Sequence, residues 1–101
     1  MMPKGNDKIL CRTPSPGKQS IRIDQWKYDL MRAAILKVIP KTKEGILFSR
    51  LASLVKKQLS PTEQKRLGSL SWYSTVVKLD MEVRGEIERI EGATPQRLRR
   101  S

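Results

Sequence analysis

Residues 69–100, SLSWYSTVVKLDMEVRGEIERIEGATPQRLRR, decide the fold. At about 100° per residue, Trp72, Val76, Leu79 and Val83 share one narrow arc of a helix over residues 71–84, widened by Tyr73 and Val77. Ser71, Ser74, Thr75, Lys78 and Glu82 fall on the other side. The spacing therefore turns the first set toward a core and the second toward solvent. Gly85 stands where a helix end needs a positive φ. Beyond it, residues 86–91 and 96–100 flank a turn at Gly92-Ala-Thr-Pro95, the pattern of a β-hairpin. Ile87 and Ile90 break strict alternation, so Ile87 is assigned to the helix exit and Ile90 with Leu98 to the sheet. A helix with a polar outer face that feeds directly into a hairpin is the last part of a winged helix-turn-helix. The expected class is thus α+β, with three main helices and a C-terminal hairpin wing. An ordinary α+β domain with no nucleic-acid role is the simpler alternative.

Upstream, Lys8-Ile-Leu-Cys-Arg12 and Gln19-Ser-Ile-Arg-Ile23 are strand candidates around the connector Thr13-Pro-Ser-Pro-Gly17. Residues 8–23 should form an N-terminal strand pair within one domain over residues 8–101, preceded by a mobile tail at 1–7. Asp24 offers an N-cap to a helix over residues 25–39, whose inward stripe is Tyr28, Met31, Ala34, Ile35 and Val38. Trp26 lies off that stripe and is expected to cover the N-terminal strands, and Pro40 ends the helix. Trp72 is expected to pack on this stripe, against Met31 and Ile35.

Ile46 and Leu47 form a short strand before a second helix over residues 49–59, with Leu51, Leu54, Val55 and Leu59 inward. Ser60-Pro61-Thr62-Glu63 is a capping box with proline at the first helical position. A short helix begins there and stops at Gly68, after which Ser69 or Ser71 caps the long helix. Asp80 sits at the edge of the apolar arc and needs a partner, either Arg84 one turn on or Arg32. Its role is a structural ion pair and not catalysis.

Composition narrows the function classes. The chain has 101 residues, 38% of them hydrophobic, enough for a single modest core. No apolar run is long enough to span a bilayer, and residues 1–8 lack an apolar signal region, so a soluble cytoplasmic protein without membrane contact is expected. A lone cysteine, Cys11, excludes an internal disulfide, and the absence of histidine excludes Cys/His zinc sites and histidine triads. No cofactor, metal or enzymatic activity is expected. The net charge of +11, from 21 Lys and Arg against 10 Asp and Glu, favours polyanionic partners. The excess gathers in residues 1–23 and 41–60, whereas residues 71–85 are neutral.

The pattern W-Y-x-x-x-V-K-L-D-x-E-x-x-G at residues 72–85, followed by I-E-R and P-Q-R-L-R, resembles a family of short bacterial proteins of unknown function. The turn Pro16-Gly17-Lys18, Ile23-Asp24, Tyr28 and Arg32-Ala-Ala-Ile-Leu36 extend the likeness over most of residues 8–100. The resemblance implies a winged-helix-like fold and carries no activity.

Two functions follow. As a module that binds double-stranded DNA, such as a small transcriptional regulator, the chain would present Ser71, Ser74, Thr75 and Lys78 to the major groove. Gln96, Arg97, Arg99 and Arg50 would then hold phosphates or the minor groove. With no Arg or Asn on that face, such binding would be mainly electrostatic. As a protein-interaction module on the same scaffold, the chain would expose an apolar patch, for which Trp26, Leu70 and Met81 are candidates.

Overall fold

In a computed structural model, which describes residues 7–14, 17 and 19–101, the first structured segment is an antiparallel pair, β1 (Lys8–Cys11) and β2 (Ile21–Asp24). Alternation buries Cys11 and Ile23 and leaves Leu10 and Ile21 exposed. Residues 1–6 of the expected tail, and Pro16 and Lys18 of the expected turn, lie outside the described residues. Asp7 is not part of a tail, because its carbonyl accepts from Gln25 N at 2.8 Å.

Helix α1 (Gln25–Val38) follows without a break. Asp24 does not cap it: the carboxylate is engaged by Lys8 across the strand pair. Tyr28, Met31, Ala34 and Ile35 are buried as the period requires, and Val38 is half-buried. Trp26 turns toward the later short helix, with the Arg66 guanidinium 4.9 Å from its ring centroid. It lines an open groove of about 720 Å³ with Leu30 and residues of the later short helix.

Strand β3 (Ile46–Leu47) leads through a 3-10 turn, Phe48–Arg50, into α2 (Leu51–Lys56). The expected helix over residues 49–59 is thus shorter. The Gln64 side-chain amide donates to Lys56 O, at the end of α2, and to Leu59 O in the turn that follows, at 3.3 and 3.1 Å. Gln64 belongs to α3 (Pro61–Leu67), which starts at the reciprocal capping box of Ser60 and Glu63. Helix α4 (Leu70–Val83) is capped by the Ser69 hydroxyl, and Gly85 just beyond it has φ 78°.

The chain ends in β4 (Ile87–Arg89) and β5 (Arg97–Arg100), and β3 adds to the hairpin in the antiparallel order β3-β5-β4. Ile87 belongs to the sheet, opposite Arg100, and its side chain is fully buried. Gly45 makes the β3–β5 junction possible: a Cβ there would lie 2.0 Å from Leu98 O, and its φ is +59°. The architecture is α+β, with four α-helices and two small antiparallel sheets among the described residues.

Helix α4 is turned about its own axis relative to expectation. Val77, Met81, Ser74 and Lys78 face the core formed by Met31, Ile35, Leu51 and Val55, whereas Trp72 is 44% and Val83 40% exposed. At about 100° per residue the difference is roughly 130°. Trp72 therefore does not pack on Met31 and Ile35. In urea denaturation, Met31→Ala is expected to cost about 2–5 kcal/mol, because the side chain is wholly enclosed. Trp72→Ala is expected to cost about 1 kcal/mol or less, as for an exposed site.

Candidate functional site

The outward side of α4 follows from two buried charges that fix the inward one. Asp80 is 1% exposed. Its carboxylate accepts from Tyr28 Oη at 2.6 Å, Arg84 Nε at 2.5 Å and the Arg12 backbone N–H at 2.9 Å. The expected ion pair is with Arg84; Arg32 instead holds Glu86, with Nε 2.9 Å from Oε2. Burial alone pushes the Asp80 carboxyl up, but the three hydrogen bonds outweigh it and hold the group below the usual carboxylate range. Burial also raises the Tyr28 hydroxyl, helped by Asp80, and pushes the Cys11 thiol up to about 11. A thiol so protonated is a poor nucleophile.

Lys78, 1% exposed, is the second buried charge. Its ammonium donates to Gln96 Oε1 at 2.7 Å, pairs with Glu82 Oε2 at 2.8 Å and lies 4.4 Å from the Phe48 ring centroid. The Glu82 contact is an ion pair without hydrogen-bond alignment. Burial lowers the Lys78 pKa, and Glu82 partly restores it. Arg89 holds the other Glu82 oxygen at 2.5 Å. Lys78 thus joins α4 to the hairpin loop and to the start of α2.

These contacts redistribute the residues expected to meet DNA. Ser74 and Lys78 are inside and unavailable to a groove. The hydroxyls of Ser74 and Thr75 donate back to Ser71 O at 2.9 and 3.0 Å, the local bonding open to such side chains on a helix. Ser71 itself is exposed. Gln96 is held by Lys78, and Arg99 by Glu88 across the hairpin at 2.5 Å. Arg97 donates to Glu44 O at 2.9 Å and lines a groove of about 330 Å³ together with Arg50. Of the eight expected residues, only Arg50 and Arg97 meet in an open groove.

What α4 does show to solvent is Trp72, the half-exposed Leu79 and Val83, with Ser71 and Thr75 alongside. The stripe runs roughly three turns, about 16 Å. Trp72 stacks edge-on against Tyr73, whose hydroxyl accepts from Lys27 at 3.2 Å. Beside Val83 the helix meets the exposed Leu10 of β1, and the two flank a cleft of about 420 Å³ with Ile9, Arg12, Asp80 and Arg84. Of the apolar residues expected on the surface, Met81 is wholly buried, Leu70 packs on the core and Trp26 is half-buried.

Among the described residues no cluster of His, Cys, Asp and Glu is placed to hold a metal ion. None of the helices among the described residues is long and apolar enough to cross a membrane.

Fold and surface thus define a small basic α+β domain whose polar buried groups serve packing. The chain belongs to a family of unknown function, DUF6958, whose model matches residues 8–98. Neither the curated proteins nor the solved structures include a match to it.

Asp80 also sets a pH dependence. A carboxyl held below its unfolded value stabilises the fold above about pH 4, and the contribution is lost as pH falls through the folded value. Asp80→Asn is expected to cost about 1.5–3 kcal/mol at neutral pH, as for bonds to a charged group. The difference from the parent should shrink steadily below about pH 4 in urea titrations.

Proposed function

We propose that the chain is a non-enzymatic winged-helix module whose working face is the outward side of α4, offered to a protein partner. The element order supports the scaffold: α1, β3, α2, α4 and the hairpin β4–β5, with β3 added beside β5. In that arrangement α3 lengthens the turn between the second and last helices, and β1–β2 is an N-terminal addition. A reduced, cytoplasmic bacterial setting suits the free thiol of Cys11.

One observation carries the choice of partner. The outward face of α4, where a groove-reading helix would hold Arg, Lys or Asn, holds Trp72, Leu79 and Val83. Exposed aromatic and aliphatic side chains along one helix face are the material of protein interfaces, and tryptophan is enriched among their hot spots. Photo-crosslinking tests this in cells that make the protein. A benzophenone amino acid in place of Trp72 or Leu79 should give a discrete protein adduct, and one in place of the exposed Lys37 should not. Val83→Glu should remove the adduct. Nucleic-acid adducts at position 72, or none at positions 72 and 79, would overturn the reading.

Binding to double-stranded DNA is the second reading, favoured by the groove that Arg50 and Arg97 share and by the exposed Lys56 and Lys57 at the end of the helix that follows Arg50. Such binding would be electrostatic and weakly selective. In anisotropy titrations of random duplexes, Arg50→Ala and Arg97→Ala should each flatten the log–log salt slope by about one unit. Lys78→Met, inside the fold, should leave the slope unchanged. Equal slopes for all four proteins would remove this reading.

A further inference from the structure

We infer that the α4 face takes an acidic amphipathic helix of another protein, seated along Trp72, Leu79 and Val83 with its carboxylates on Arg12 and Arg84. This rests on the reading of α4 as a docking face and adds the chemistry of the occupant.

The apolar part comes from spacing. Trp72, Val76, Leu79 and Val83 recur at three- and four-residue intervals, the ridge that an amphipathic helix matches with its own stripe. Val76 is buried and packs in the core, so it backs the ridge from beneath while Trp72, Leu79 and Val83 form its exposed part. At its C-terminal end the exposed Leu10 widens it into the cleft.

The charged part comes from the rim. Of the six residues lining the cleft, Arg12 and Arg84 are cations, and the one carboxylate is Asp80. Asp80 is buried and already holds three hydrogen bonds. Arg84 uses Nε on Asp80 while nearly half its side chain stays exposed. The Arg12 side chain is exposed and takes part in no ion pair with a described residue, because only its backbone N–H serves Asp80. On the opposite flank Glu82 is occupied by Lys78 and Arg89. Arg84 is thus balanced by Asp80 and Arg12 is not, so the cleft keeps one positive charge in excess, which favours a partner that is apolar on one side and anionic beside it.

The same charges disfavour the other occupants. A second copy would bring together two chains of net charge +11 and offers no surplus of carboxylate for Arg12. A duplex would leave the apolar ridge against phosphates and water.

The test uses the full chain and two synthetic peptides of roughly 18 residues, long enough for a marginal helix. Both carry leucine at helical spacing; one has glutamate and the other lysine at the polar positions. A fluorescent label on each reports binding by anisotropy. In a Trp26→Phe background, the emission of Trp72 reports where the peptide sits. The glutamate peptide should bind in the micromolar range, shift Trp72 emission to the blue and weaken with added salt. Arg12→Glu should weaken it about tenfold. Val83→Ser should do the same by shortening the ridge, and both variants should melt as the parent does. The lysine peptide should not bind the parent chain. Equal binding of the lysine peptide would overturn the acidic occupant while leaving α4 as a docking face. Binding of neither peptide, with a protein adduct still formed at position 72 in cells, would overturn the helical occupant alone. Self-association that buries Trp72 would replace it with a second copy, and a duplex that shifts Trp72 emission would replace it with nucleic acid.

Discussion

The carboxylate of Asp80 is the contact on which the arrangement depends. It lies inside, so it is tolerated only while every hydrogen bond to it is made. Those bonds come from the phenol of Tyr28 on α1, the guanidinium of Arg84 at the end of α4 and the backbone just after β1. One side chain thereby fixes the rotation of α4, the height of α1 and the docking of the N-terminal strand pair. Apolar packing among Met31, Ile35, Val77 and Met81 contributes most of the cohesion, but apolar contact has no direction and would accept several rotations. The directed bonds select one.

Lys78 acts on the other flank of the same helix. Two residues before Asp80, it reaches Gln96 in the hairpin loop and the ring of Phe48 ahead of α2. With one anion and one cation on either side of its buried face, α4 cannot roll without leaving a charge unpaired. Pairs of this kind add little net stability over apolar side chains of the same size. Their effect is to make the neighbouring rotations costly, and the exposure of Trp72 and Val83 follows from that.

Much of the fold was legible in the sequence because it is written in local chemistry. The capping box of Ser60 and Glu63, the stop at Gly85, the break at Pro40, the short strand at Ile46 and the hairpin turn each act over a few residues. The rotation of α4 was not legible in this way. Apolar residues occur on both sides of its wheel, with Tyr73, Val77 and Met81 facing in and Trp72, Leu79 and Val83 facing out. Periodicity then favours the side without charges, and the charges here are inside. Asp80 carried the warning, since a carboxylate bordering an apolar arc needs partners from both flanks. Ile87 and Ile90, three apart, cannot both alternate into one strand face; the strand takes Ile87 and ends at Arg89, so the spacing favours the wrong isoleucine. The candidate site suffered most: Ser74 and Lys78 were chosen for polarity, and polarity does not report exposure when the partners are distant in sequence.

The burial of Cys11 has a practical consequence. Its thiol faces the core from the last position of β1, one residue before the backbone N–H that Asp80 accepts. An alkylating reagent reaches the sulfur only when the packing around it opens, and burial, which raises the thiol pKa, suppresses reaction in the closed state. With no other cysteine in the chain, labelling kinetics count those openings directly. The protein therefore carries its own clock for openings at the strand between Leu10 and Arg12, both of which line the cleft beside Val83.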